Sequence, residues 1–117
     1  MKRPLHGLHL PCQYLRCRDG DTVEISLYGS DRIWAIRLID CQAPDRGEPG
    51  RDEAKAHAEQ LLENAELVTV SVPTPADPLH LLKNLTFDRI PARLWISDDE
   101  TLGERMIKDG FAKHEEA

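Results

Sequence analysis

Long apolar runs are missing from this 117-residue chain. None approaches the ~18 residues that a helix needs to cross a bilayer. Cysteine is sparse as well: Cys12, Cys17 and Cys41 are odd in number and too few for a disulfide framework, which predicts three reduced thiols. Cys12 and Cys17 lack the later ligand pair that a zinc site requires. A basic surplus is also absent. Fifteen Lys and Arg face 21 Asp and Glu, a formal net charge of −6. That balance disfavours gripping nucleic acid by bulk electrostatics and leaves a local basic cleft or a bound cation as the means. Repeats, low-complexity tracts and linkers are missing too. The start of the chain is basic, but Pro4, His6, His9 and Pro11 interrupt what a signal peptide would need as its apolar region. A cytoplasmic protein with no membrane association is the expectation.

What is present is an ordinary globular balance, 40% apolar and 31% charged. One domain spanning 1–117, with its core from about 13 to 114, is expected, because the chain is too short for two hydrophobic cores. Thr22-Val23-Glu24-Ile25-Ser26-Leu27 alternates with the period of a half-buried strand. Tyr28-Gly29-Ser30-Asp31 supplies a turn, and Ile33 to Ile39 resumes as a β-branched strand. Asp19-Gly20-Asp21 is a tight turn, so a strand from about Gln13 to Arg18 should precede the hairpin.

After Gly47-Glu48-Pro49-Gly50, the spacing of Ala54, Ala58, Leu61, Leu62 and Ala65 predicts an amphipathic helix. Val68, Val70 and Val72 mark a fourth strand, followed by a long loop from Pro73 to about Thr86. Ile90, Ala92, Leu94 and Ile96 mark a fifth, in which Pro91 implies an edge or a bulge. Thr101-Leu102-Gly103-Glu104 reads as a capping box opening a short helix that stops at Gly110. The order β-β-β-α-β-β-α, mainly β with helices, points to a five-stranded barrel of OB type.

Asp19, Asp21, Arg37, Asp45 and Arg89 all fall at turn or strand positions able to converge on one mouth of such a barrel. Guanidinium forks suit phosphate, and carboxylates suit a hard cation such as Ca²⁺. Ordinary surface ion pairs and turn caps are the plainer alternative. Tyr14, Tyr28, Trp34, Phe87 and Trp95 offer faces for base stacking, although wall packing is the stronger reading of the two tryptophans. The histidines His6, His9, His57, His80 and His114 form no metal or general-base grouping and read as surface residues. Leu79 to Leu85 holds a short apolar patch that would suit a cleft wall or an oligomer contact.

Four segments in order carry a resemblance: Asp19-Gly20-Asp21-Thr22-Val23, then Arg37 to Gly47 as RLIDCQAPDRG, then Gly50 to Leu62 as GRDEAKAHAEQLL, then Phe87 to Ile96 as FDRIPARLWI. Together with the closing segment Leu102 to Ala112, they make the chain similar to the staphylococcal nuclease (thermonuclease) family from about Gln13 to His114. That resemblance implies an OB-fold barrel hydrolysing phosphodiester bonds of DNA or RNA with Ca²⁺; the way OB folds stack bases favours single strands as the partner. The resemblance implies Arg37 and Arg89 as catalytic, phosphate-binding arginines and Asp45 as the base. Asp21, Gln42 and Ala43 stand at the metal positions.

The departures are specific. Gln42 replaces a calcium aspartate and removes a negative charge, which should weaken the cation site. Asp45 replaces glutamate and is one methylene shorter. Asp40 and Asp88 stand where the family has glycines. Glu48 is a second carboxylate near Asp45, more simply read as a loop residue. A catalytically inactive barrel that binds single-stranded nucleic acid or a protein partner is the alternative to a nuclease.

Overall fold

In the computed structural model of the chain, residues 8–29, 31–72 and 89–114 are described. Five strands, β1 (Leu8–Asp19), β2 (Thr22–Leu27), β3 (Ile33–Leu38), β4 (Val68–Val72) and β5 (Arg89–Trp95), close into a barrel in the order β1-β2-β3-β5-β4. Helix α1 (Arg51–Asn64) lies between β3 and β4, and α2 (Leu102–Lys108) follows β5. Every strand pair is antiparallel except β3 with β5. This is the α+β, OB-like barrel that the order of elements predicts. Among the described residues, no helix is long and apolar enough to cross a membrane.

The alternating apolar residues of the strands point inward, where Val23, Ile25, Ile36, Leu38, Ile90 and Leu94 are almost wholly buried. Helix α1 buries Ala54, Ala58 and Leu62, three of the five positions that its period marks. Two alanines on its inner face let the helix come close to the barrel. The turn between β1 and β2 uses that closeness: a Cβ on Gly20 would stand 2.9 Å from the Cβ of Ala43 and 3.0 Å from that of Ala54. Only glycine seats this turn against helix and loop together.

Strand β1 starts at Leu8, earlier than the expected Gln13. Residues 8–12 pair with β4, and pairing with β2 begins at Cys12, so the strand changes partners at that residue. Its first half is a strand only because β4 lies beside it. Two register shifts interrupt the β1–β2 ladder, between Tyr14 and Arg16 and between Cys17 and Asp19. They leave Leu15 and Arg18 as extra residues, the hallmark of bulges. Pro91 pairs with Arg37 of β3, while the β4 ladder covers Arg93 to Trp95, so proline sits where β5 is locally an edge among the described residues. The expected loop from Pro73 to Thr86, with its leucine patch, lies outside the described residues.

Helix α2 is held at both ends. Thr101, 1% exposed, accepts the Glu104 backbone N–H at 3.1 Å, and the Glu104 carboxylate accepts the Thr101 N–H at 3.2 Å. That is the expected capping box. The Thr101 hydroxyl also donates to Asp40 at 2.6 Å. Gly103 lies so close to Asp40 that a Cβ there would overlap the carboxylate. At the other end, Gly110 (φ 85°) turns the chain while its N–H and that of Phe111 reach Ile107 and Met106.

Thr101→Ala should therefore cost about 1–2 kcal/mol, a fall in Tm of roughly 4–8 °C for each kcal/mol. Thr101→Ser should recover most of it. Thermal unfolding by circular dichroism measures both, and an alanine variant melting with the parent protein would remove Thr101 as an anchor.

His57 is not the plain surface residue expected. It stacks on Phe111 with ring centroids 4.2 Å apart, and its Nε2 lies 2.7 Å from Asp109, which also accepts from Arg105 Nε at 2.9 Å. It fastens α1 to the end of α2. All three cysteines are free and buried, and burial pushes the Cys12 and Cys17 thiols up to about 12. They are packing residues at neutral pH.

Candidate cation and phosphate site

The Asp19-Gly20-Asp21 turn and the loop after β3 meet at one mouth of the barrel. The Leu38 N–H donates to the Asp21 carbonyl at 2.9 Å, so the turn is stitched to the end of β3. Asp21 is 2% exposed. One of its carboxylate oxygens accepts the Ala43 N–H at 2.9 Å, and the other lies 3.4 Å from the Thr22 hydroxyl. Arg37 places Nη2 3.6 Å from the same carboxylate. One oxygen from each of Asp19, Asp21 and Asp45 falls within 4.8 Å of the others.

Asp21 is undercompensated. Burial raises the Asp21 pKa above its ordinary value, and the charges of Asp45 and Asp19 push in the same direction; the Ala43 N–H and Arg37 only partly offset them. Asp19 has its own cation, since Arg51 Nε donates to it at 2.9 Å and Arg51 Nη2 to the Arg18 carbonyl at 2.6 Å. Asp45 is exposed on a turn, where its N–H is bound by the Glu48 carboxylate at 2.8 Å. Glu48 is a turn cap here. An all-oxygen set with one buried member of raised pKa fits a hard divalent cation, which prefers oxygen ligands and would supply the missing positive charge.

Arg37 is held as well as placed. Its Nη1 donates to the carbonyls of Leu38 and, at 3.1 Å, of Cys41. A strand end followed by a curled loop thus grips the guanidinium on one side and leaves it 26% exposed at the mouth. Arg89 is exposed and opposes Ala35 across the parallel β3–β5 pair, while Arg37 opposes Pro91. Since Ile36 and Ile90 point into the core, both arginines lie on the outer face of neighbouring strands, two positions apart. The structure brings Asp21, Asp45 and Arg37 together. It puts Arg89 on the same face but not in the carboxylate cluster.

Gln42 is exposed, and its backbone N–H and C=O exchange hydrogen bonds of 2.8 Å with Lys113. Ala43 is buried and turned to Asp21 through its N–H. The third converging carboxylate is Asp19, which the metal positions drawn from the resemblance omit. The role of Arg51 was also not read from sequence. Its signal is an arginine in the first turn of a helix, where the dipole disfavours a cation unless a carboxylate holds it. Of the aromatics, Trp95 is buried, Tyr14 and Trp34 pack on the core, and Arg32 stacks over Trp34 at 3.9 Å. Tyr28 is well exposed but lies just beyond Leu27, at the end of β2 away from Asp21.

Compared with known protein families the chain matches none, and no curated protein is significantly similar to it.

Proposed function

We propose that this barrel hydrolyses phosphodiester bonds of single-stranded nucleic acid with the help of a divalent cation, calcium first among the candidates. The observation that carries the reading is the meeting of Asp19, Asp21 and Asp45 within 4.8 Å, beside a guanidinium 3.6 Å from Asp21. The sequence resemblance to the staphylococcal nuclease family, read from the ordered segments quoted above, points the same way. Three buried free thiols support a reducing, cytoplasmic setting.

Asp21 and Asp19 would hold the cation, with Asp45 beside it, and a bound cation would supply Lewis-acid polarisation of the phosphate. Arg37, gripped by two carbonyls and part-exposed at the mouth, presents its guanidinium to the phosphoryl oxygens and stabilises charge gathering there. Arg89, on the same outer face, supplies a second positive charge along the diester. Asp45 is exposed at the lip and takes the proton from the attacking water.

Release of acid-soluble product from single-stranded DNA and RNA, with Ca²⁺, Mg²⁺ or Mn²⁺ and with EDTA, tests this. Cation-dependent cleavage supports the enzyme. No cleavage above the Arg37→Ala and Arg89→Ala variants under any cation rejects it and leaves a binding barrel, the reading that the short Asp45 and uncharged Gln42 favour. Asp45→Glu restores the missing methylene, and because a displacement of about 1 Å can cost ~100-fold in rate, this variant should cleave roughly 10- to 100-fold faster than the parent protein. Steady-state cleavage rates check it; an unchanged or lower rate removes Asp45 as the base.

A further inference from the structure

Beside Asp19, along the outside of β1, runs an open groove whose charge contradicts the rest of the chain. Arg16, Arg18, Arg46, Arg51 and Lys55 line it. The acids lining it are Asp19 and Glu24, so the groove carries a formal +3 in a protein of −6. Even with Asp52, which binds Arg51 at 3.0 Å, it stays at +2. Here is the local basic cleft that the overall charge left open.

Arg16 and Arg18 owe their places to the bulges in β1. Arg16 opposes Glu24 in register, and Arg18 is the extra residue of the second bulge, so both reach one carboxylate. Glu24, 3% exposed, accepts Arg16 Nε on one oxygen at 3.0 Å and Arg18 Nε on the other at 2.7 Å. These two bonds, Arg18 first, hold its carboxyl below the usual carboxylate range. The side chains stay 72% and 42% exposed. A buried carboxylate thus fixes the inner edges of two guanidinium planes and keeps their heads at the solvent.

We infer that this groove carries the phosphate backbone of a single-stranded nucleic acid next to the scissile bond, with Arg16 and Arg18 as a phosphate clamp preset by Glu24. The inference rests on the proposed phosphodiesterase site. Asp19 belongs to both places: it lines the groove and lies in the carboxylate cluster. Held on the two oxygens of one carboxylate, the two guanidinium planes present one fixed cluster of donors to the groove. Phosphodiesters keep their charge at any working pH, and guanidinium forks bind them in two parallel bonds. Arg46 and Lys55 extend the track, while Arg51 is turned to Asp19 and acts as its anchor.

The test is fluorescence anisotropy of a labelled single-stranded oligothymidylate over a salt series, on the parent protein, Arg16→Gln/Arg18→Gln/Glu24→Gln and Arg46→Gln. The triple variant removes the clamp without stranding a buried charge, and its melting curve checks that it folds. Each phosphate contact with a single strand contributes about 0.7 to the slope of log K against log salt. The triple variant should lose about 1.4 of that slope and roughly tenfold in affinity at low salt, and Arg46→Gln about half of the slope change. Unchanged slope and affinity in a folded triple variant would overturn the clamp. Cleavage of a small aryl thymidine phosphodiester separates the two claims. A parent protein that cleaves it while the triple variant binds oligothymidylate normally loses only the groove, whereas a parent protein that neither cleaves nor binds loses both readings.

Discussion

Asp21→Asn is expected to melt higher than the parent protein in EDTA and to gain nothing from calcium. The buried carboxylate lies within 4.8 Å of two others, and burial and those charges raise its pKa. The folded state therefore holds the Asp21 proton more tightly than the unfolded chain does. In the parent protein, ionising Asp21 costs stability: the cost is absent below the unfolded value of 3.8, grows as pH rises through the folded pKa, and is complete above it. Asparagine keeps an oxygen for the Ala43 N–H and removes the charge. Relief of this cost would raise Tm by roughly 4–8 °C for each kcal/mol recovered, with the gain largest at neutral pH and fading in acid.

Calcium should reverse the order of the two proteins. A ligand at 100 times its Kd stabilises by about 2.7 kcal/mol, and this increment should be present in the parent protein and lost in Asp21→Asn. Thermal unfolding with EDTA or saturating calcium at several pH values gives all four comparisons. Equal calcium stabilisation in both proteins would place the cation elsewhere. A variant less stable than the parent protein in EDTA would mean that the carboxylate is satisfied by Arg37 alone.

Arg37→Ala and Arg37→Lys should each lower the cleavage rate by about 10²–10³-fold, the usual effect of removing one donor aimed at developing charge. Lysine should not rescue. The site uses a planar fork, with one nitrogen on the Leu38 and Cys41 carbonyls and another toward Asp21, and an ammonium reproduces neither the plane nor the division of labour. Calcium stabilisation should survive in both variants, because Arg37 competes with the cation for Asp21 instead of holding it. Rates with saturating calcium, read beside melting curves, separate this from misfolding. A lysine variant within a few-fold of the parent rate would reduce Arg37 to a general positive charge.

Elements with a local period were legible. The hairpin of β2 and β3, helix α1 and the Thr101 capping box lie where alternation, the 3.6-residue spacing and the Thr-x-x-Glu pattern put them. What escaped depends on distant partners. The first half of β1 contains Pro11 and His9 and is a strand only through β4, about sixty residues later. Arg18 reaches Glu24 because of a bulge, and bulges leave no period behind. At the site, Asp19, Asp21, Arg37 and Asp45 could be picked from turn and strand positions. What escaped is Arg51, which holds Asp19 in place from another element, since no spacing rule links residues so far apart in the chain.

The contact at Gly20 ties the fate of the site to the start of a helix. Because a Cβ at Gly20 would collide with the methyl groups of Ala43 and Ala54, the acidic turn has no slack of its own. Arg51, one turn of helix away, adds a polar fastening at Asp19. If the first turn of α1 frays, Asp19 and Asp21 lose their seat together, long before the barrel strands separate. Hydrogen exchange would then report one opening event, shared by the amides of residues 19–21 and 51–54, at a lower free energy than global unfolding. The warmth at which the proposed cation site comes apart would be set by a fraying helix end, not by the melting of its core.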